Sequence, residues 1–569
     1  MSDITDIEKD TPHKRRWPWI AVAVIAIAAV GGGSAFAVSA NQAEPAPASA
    51  PSSGPVSGGT LEFALIDYQR TPDVHGGSNY AESIIGGNIV DKLTWQDPES
   101  GEITPWLATD WEINDELTEF TFHLRDDVTF SDGSPFNAEA VKANYDQYVF
   151  GDKELGIKGN GATLFRGYLE TRVDDEFTAT VVLSTGSASF LQATSFTANY
   201  QPGFYSLATL GKSAEERTDP ANVIGSGPFV YESWKPQVST VLVKRDGYNW
   251  APDAIGHNGE AYLDRIVFNT VPEASVRTGS LESGTIDATL DVQTTDEGVL
   301  EQKGFEVISH RVAGADIRFD FNLSIEPTND LAVRKAIQLG WDRDAVTSTV
   351  LTDSYETSTS VLARAITGWV DHSGEALRYD PDEAEELLDD AGWTPGADGI
   401  REKDGTRLEV KLLGISNLVA NKPAYESIQQ NLLALGIDLQ LTVLPLADYA
   451  AQVANAATDW NVTAANRSRN EVSVLNLAFN PDADNTSHIP DDFEGRQELV
   501  DALAALDSTL DPDTRAGYAA DAQDLVLEKY ALTNPVYTPA QVIAHSTAVH
   551  GIIFDAQARN SFVDTWKDE

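Results

Sequence analysis

The chain has 569 residues, 42% of them hydrophobic and 9% aromatic, more than one core uses, which predicts two or three domains. Its 88 Asp and Glu against 39 Lys and Arg give a formal net charge of -49, a field that repels phosphate backbones and anionic headgroups and excludes nucleic acid as a partner. With no cysteine, disulfides, thiol catalysis, cysteine-based zinc sites and a lipid-modified N-terminal cysteine are all excluded.

In chain order, residues 1–16 form a tail ending in Lys14-Arg15-Arg16, and residues 17–38 form an apolar segment long enough to cross a bilayer of roughly 30 Å. Small residues at Ala35-Phe-Ala37 and Val38-Ser-Ala40 also fit a cleavage site, so the segment reads as an anchor or as a signal peptide. Either way the basic flank stays inside and the body is exported. Residues 39–57, rich in Ala, Pro and Ser, are read as a disordered linker.

Folded sequence starts with a strand over Gly59–Leu65, running into Asp67 and Tyr68. Phe120, Phe122 and Leu124 alternate with Thr121, His123 and Arg125, which predicts a half-buried strand; Thr109–Asn114 is its hairpin partner. Asn137 is placed to cap a helix carrying Val141, Tyr145 and Tyr148. The glycines of Asn222-Val-Ile-Gly-Ser-Gly-Pro-Phe229 predict a turn with positive φ; no Gly-Lys-Ser/Thr follows, so it is not a phosphate loop. Asp380 to Trp393 is an amphipathic helix and Leu408 to Leu413 a strand. A further helix over Tyr425 to Gly436 precedes a strand over Ile437 to Leu444, an alternation that predicts a mostly parallel α/β lobe. Gln541 to Thr547 reads as a late return strand.

Pro105-Trp-Leu-Ala-Thr-Asp-Trp-Glu112 and the run Thr121 to Val141 resemble the "PxLAxxWE" and "TFxLRxxVxFxDGxPFxAxxV" stretches of extracellular solute-binding proteins of family 5, which serve peptide and nickel-type ABC importers. Ser280 to Asp287, and Phe319 to Asn322 followed by Asp330 to Ile337 and Trp341 to Val346, resemble further elements of the same family. The resemblance implies a two-lobed, periplasmic-binding-protein-like α/β fold of the large type with an extra subdomain. Its expected layout is a first lobe over 58–310 with the subdomain at about 102–211, a second lobe over 311–540, and a return to the first lobe over 541–569. Two crossings between lobes make a hinge.

By the same resemblance the ligand sits in the interlobe cleft. The residues nominated to touch it are Asp67 and Tyr68 after the first strand, Asn322, Ser416 and Asn417, and Asn466, Arg467, Arg469 and Asn470. Peptide binders of the family carry an aspartate for the peptide ammonium near Asn466-Arg-Ser-Arg-Asn470, and this chain has none there. Expected partners are a peptide-like or other small organic solute, ABC permease subunits and their ATPases, with the chain a monomer tethered to the outer face of the membrane or secreted.

No cofactor, metal or catalytic group is nominated. There is no HExxH, no Gly-x-Ser-x-Gly elbow and no complete nucleotide loop. Asp482-Ala-Asp-Asn485 with Asp491, Asp492 and Glu494 has the composition of a calcium loop but lacks the EF-hand glycine and order, and reads as a solvated acidic loop ahead of a calcium site. Alternatives are a surface sensor or adhesion module on the same fold, and an exported α/β hydrolase, for which no nucleophile and base are found.

Overall fold

A computed structural model describes residues 54–77, 79–195, 202–416, 418–453, 459–482 and 488–568, all within one compact unit, Pro51–Glu569. The predicted tail, membrane segment and most of the linker lie outside these residues. Among the described residues no helix is long and apolar enough to cross a membrane.

The strand Glu119–Leu124 buries Phe120, Phe122 and Leu124 on one face, as its alternation predicts. It pairs antiparallel with Ala108–Ile113 across a turn in which Asn114 Oδ1 accepts from the N–H groups of Thr118 (2.8 Å) and Glu119 (3.0 Å). Thr178–Leu183 and Tyr168–Asp175 extend this into a four-stranded antiparallel sheet. Helix Ala138–Phe150 is capped by Asn137, whose side chain accepts from Ala140 N, and it buries Val141, Tyr145 and Tyr148. The turn at Gly225 and Gly227 has a different cause from the one expected. Neither glycine has positive φ; a Cβ at Gly225 would lie 2.1 Å from the Ile89 carbonyl oxygen, so close backbone approach excludes any side chain.

Two larger sheets carry the lobes. The first has the strand order Phe229–Lys235, Ser239–Lys244, Arg265–Thr270, Thr60–Leu65, Ala288–Leu290, Ala540–His545, Glu306–Arg311. The second runs Glu356–Thr357, Thr533–Thr538, Gly314–Phe321, Val462–Ser468, Glu409–Ile415, Asp438–Leu444. The second is mixed rather than mostly parallel. Only Glu409–Ile415 with its two neighbours pairs parallel, because the strands that enter from and return to the first lobe join it antiparallel. Two large cores form, one in the first lobe around Phe63, Ile84, Phe122, Tyr145 and Trp250, the other centred on Phe321, Ile337, Leu412, Ile428 and Leu503 and continuing past the crossings to Leu281, Leu300 and Val542 of the first lobe.

The chain crosses between sheets at Val312-Ala313 and returns at Pro539, and the crossings bond to each other through Val312 N to Pro539 O (2.7 Å). Beside them Asp316, buried, accepts through Oδ2 from Ser358 Oγ (2.5 Å) and Thr538 Oγ1 (2.9 Å), tying the outgoing strand to the returning one. Its Oδ1 has no hydrogen-bond partner among the described residues, and burial pushes the carboxyl pKa up to about 7 against the lowering effect of the Ser358 and Thr538 hydroxyls, with Glu356 raising it and Arg318 lowering it.

This predicts a pH-dependent cost. Between roughly pH 4 and pH 7 the folded state holds a proton that the unfolded chain releases, so stability falls as pH rises through that window, by at most about 4 kcal/mol for this group. Asp316→Asn keeps an acceptor for both hydroxyls. Denaturant unfolding should find it gaining on wild type as pH rises from about 4 to 7 and holding a constant advantage above pH 7; a difference that does not change between about pH 4 and pH 7.5 would contradict this.

Candidate functional site

Strand register puts both lobes' loop-bearing edges on the hinge side. In the first sheet Thr60–Leu65, Arg265–Thr270 and Ala288–Leu290 run parallel, and their carboxyl ends share the edge at which Glu306–Arg311 leaves and Ala540 enters. In the second, Glu409–Ile415, Asp438–Leu444 and Val462–Ser468 run parallel, and their carboxyl ends share the edge at which Gly314 enters, opposite Ser468. Glu409–Ile415 has its successors on opposite sides, so the chain order reverses there, the place where open α/β sheets leave a crevice for ligands.

Most of the nominated residues fall on these edges. Asp67 and Tyr68 follow Leu65; Ser416, exposed, follows Ile415; Asn466 to Asn470 end the Val462–Ser468 strand. Asn417 lies outside the described residues. Asn322 does not join them: it follows Phe321 at the far end of an eight-residue strand, roughly 25 Å from the hinge edge. There it is buried, donates to Trp460 O (3.0 Å) and accepts from Ser324 N (2.9 Å), bonds that shape a loop of the second lobe.

Arg469 bridges the lobes. It is buried, with Nε donating to Gln192 Oε1 (3.0 Å) and Nη2 to Ser189 O (3.2 Å), both in the segment after the four-stranded sheet. Gln192 in turn donates to Gln96 Oε1 (3.2 Å), and Gln96 Nε2 donates back to Asn470 O (2.7 Å). Ala188 N to Asp507 O (3.0 Å) is a second bond between the same parts. The lobes are therefore clasped shut. Alongside lies a chamber of about 330 Å³ lined by Arg166, Ser184, Ser187, Arg469, Ser473 and Asn476 among others, with the buried Ser473 Oγ unpartnered. Arg467 is half-buried near Tyr449, whose hydroxyl burial pushes up to about 12 while Arg467 pulls it down.

Acids that sequence reasoning offered for a ligand ammonium are already engaged. Asp67 pairs with Arg70 (3.1 Å) and accepts from Asn79 (3.4 Å). Glu471 pairs with Arg515 and accepts from Ser473 N (2.7 Å). Of the acidic loop, Asp482 and Asp491 both contact Arg496, and residues 483–487 lie outside the described set.

A polar group that sequence reasoning missed lies in the hairpin formed by Ile553–Phe554 and Asn560–Ser561. Phe554 stacks on His310 at the hinge end of its strand, Tyr80 Oη donates to Ala558 O, and the Arg559 guanidinium sits 3.8 Å from the Tyr80 ring centroid. Asp555 Oδ1 accepts from Gln557 N and Arg559 N, both at 2.8 Å. Its Oδ2, both amide atoms of Gln557 and both of Asn560 are buried without a hydrogen-bond partner among the described residues. Burial raises Asp555 to about 6, and Asp291, which follows Leu290 on the hinge edge, to about 6 as well. Each unsatisfied buried group costs about 1–3 kcal/mol, so a concentration of them marks a place shaped for something other than stability. The signal in the sequence was the polar run Asp555-Ala-Gln-Ala-Arg-Asn560 between apolar strands.

Truncating the clasp should shift the lobes open. Arg469→Ala removes charge-assisted bonds of about 1.5–3 kcal/mol in the closed state alone and is expected to raise the radius of gyration and weaken ligand retention roughly tenfold or more. Scattering of the variant superimposable on wild type would show that the clasp contributes nothing to closure.

The family model for bacterial extracellular solute-binding proteins, family 5 middle, matches residues 102–486. The chain is 27% identical over 350 residues to the nickel-binding periplasmic protein of Escherichia coli K12, covering 60% of this chain and 63% of that protein. It is 24% identical over 474 residues to a glutathione-binding protein of Salmonella typhi, covering 80% of this chain and 85% of that one. Its fold is similar to NikA of Brucella suis in complex with Fe(III)-EDTA (TM-score 0.75, 21% identity, 90% of this chain and 100% of that one). It is also similar to the oligopeptide-binding AppA of Bacillus subtilis in complex with a nonapeptide (TM-score 0.72, 19% identity, 91% and 100%). With the motifs, the two-lobed fold and a family match over more than half its length, the chain belongs to the bacterial extracellular solute-binding proteins of family 5.

Proposed function

We propose that the protein is the substrate-binding component of an ABC importer, enclosing a peptide-like or other small organic solute between its lobes and delivering it to membrane permease subunits driven by partner ATPases. The observation that carries this is the pair of hinge-facing sheet edges, held together by Arg469, with polar loops on both sides of the closure. The relatives named for nickel and glutathione and the neighbour holding a nonapeptide bracket the range of ligands. The reading assigns no covalent step to any residue.

On the ligand, the second-lobe edge presents Asn466, Arg467 and Ser416, while Asp67 and Glu471 are neutralised by their own arginines. An ammonium enclosed without a carboxylate keeps a desolvation penalty of several kcal/mol, and each roughly 1.4 kcal/mol is tenfold in affinity. The ligand is therefore neutral or anionic where it meets Asn466 to Asn470, with Arg467 suited to a pair of oxygens. Asp555 and Asp291 on the first lobe are the groups that would reverse this preference. Calorimetry against free di- to pentapeptides and their N-acetylated forms is expected to favour the acetylated forms or neither. Tight binding of free peptides that is lost on acetylation, and lost again in Asp555→Asn, would overturn it.

The protein works as a monomer on the outer face of the membrane, held by residues 17–38. Fractionation of intact cells should leave full-length protein in the membrane and open to external protease. A mature amino terminus at Val38 or Asn41, with protein in the medium, would show cleavage instead.

A further inference from the structure

We propose that the second lobe carries a binding site for a first-row transition dication at His372 Nδ1, Glu375 and Glu528, with Asp524 behind the ring on the Nε2 side, outside the cleft. Donor atoms of His372, Glu375 and Glu528 all lie within 4.8 Å of one another. His372 is 1% exposed. Its Nδ1 meets Glu528 Oε1 at 3.3 Å, an oxygen that also accepts from Ala376 N (2.8 Å) and is thereby fixed. Its Nε2 has no hydrogen-bond partner among the described residues and lies 3.9 Å from Asp524 Oδ1. That gap is too wide for a hydrogen bond as it stands, and Asp524 is the carboxylate that the Nε2 proton meets once Nδ1 takes a cation.

With Nδ1 as the ligand the proton sits on Nε2 and faces the Asp524 carboxylate, the arrangement that orients a histidine ligand and raises its basicity. The positions come from local structure. The helix Pro512–Asp524 runs on into a π-helical turn, Leu525–Lys529, which carries Glu528. The His372 turn is pinned against it independently: Gln523 accepts from Ser360 Oγ (2.7 Å) and Val370 N (3.2 Å) and donates to Gly368 O (2.7 Å). The ligands are thus preorganised by bonds that do not involve them.

The place lies outside the cleft, although the His372 turn reaches toward the crossings through His372 N to Thr359 O (2.8 Å). The π-helical turn leads into Thr533–Thr538 at its Thr533 end, which pairs with Asp320, whereas the hinge lies at the other end. Among common cations, an imidazole with carboxylates suits zinc or manganese, whereas calcium and magnesium take oxygen shells. A bound ion would join the 372–376 turn to the end of the long helix, fastening the lobe rather than catalysing anything.

The test uses untagged full-length protein, stripped with chelator and titrated with Zn²⁺ and, separately, Ca²⁺. Wild type is expected to hold one strongly bound zinc per chain and to melt about 2 °C or more higher with it. Asp524→Asn, whose side chain is largely exposed, should melt like wild type without metal yet bind zinc at least tenfold more weakly. Glu375→Gln, also exposed, should weaken binding without loss of fold. Zinc bound equally by wild type, Asp524→Asn and Glu375→Gln, no stoichiometric zinc in wild type, or an equal response to calcium would each overturn the assignment.

Discussion

The hydrogen bond from Val312 N to Pro539 O is the constraint on which the architecture turns. It makes the two interlobe crossings neighbours rather than separate linkers. Each sheet therefore receives its outgoing and returning strands side by side: Glu306–Arg311 beside Ala540–His545 in the first, Gly314–Phe321 beside Thr533–Thr538 in the second. A two-stranded ribbon bends far more readily than it shears, so the lobes rotate about it with their hinge-side edges always opposed. Close packing defines the pivot: a Cβ on Gly314 would lie 2.0 Å from the Arg467 carbonyl oxygen. The segment bearing the nominated ligand residues rests directly on the crossing.

Charge is distributed to match. The surface is overwhelmingly acidic, yet several arginines lie inside, held by backbone carbonyls rather than by acids. Arg334 donates to carbonyls of Thr328, Asn329, Tyr530 and Ala531, joining a helix to the chain just before the return strand. Arg343 does the same for Gln338 and Leu377. The planar guanidinium suits this role because its several donors can satisfy carbonyls that helices and strands leave unpaired. Others are paired with acids: Arg318 with Asp320, both fully buried, Arg217 with Asp73, and Arg401 with Asp389.

What the sequence made legible was whatever local periodicity or a cap determines. The Phe120, Phe122, Leu124 face, the Asn137 cap and the end of a helix at Gly436, with φ of 79°, all follow from residues close by in the chain. What it hid depends on partners far along the chain. The second sheet was read as mostly parallel because nothing near Gly314 or Thr533 announces that those strands will pair with one another antiparallel. Arg469 was nominated for ligand and is spent on Gln192, a partner 277 residues away. Asn322 matched a family element yet closes a loop. Asp555 to Asn560 looked like an ordinary polar turn, since burial without partners cannot be read from a polar run. Family and fold were thus far more legible than the groups that meet the ligand.

The position of Ala540–His545 has a consequence for how the chain is made. It is an interior strand of the first sheet, lying between Ala288–Leu290 and Glu306–Arg311, and Phe562 and Val563 complete the first core. A ribosome supplies the amino-terminal half early, but that half presents a sheet with a slot in it, its flanking N–H and C=O groups unpaired until the end of the chain arrives. The second lobe, encoded without interruption between the crossings, faces no such delay. In a polypeptide of this order the lobe that is begun first is the one completed last, its sheet closing only when the end of the chain is made.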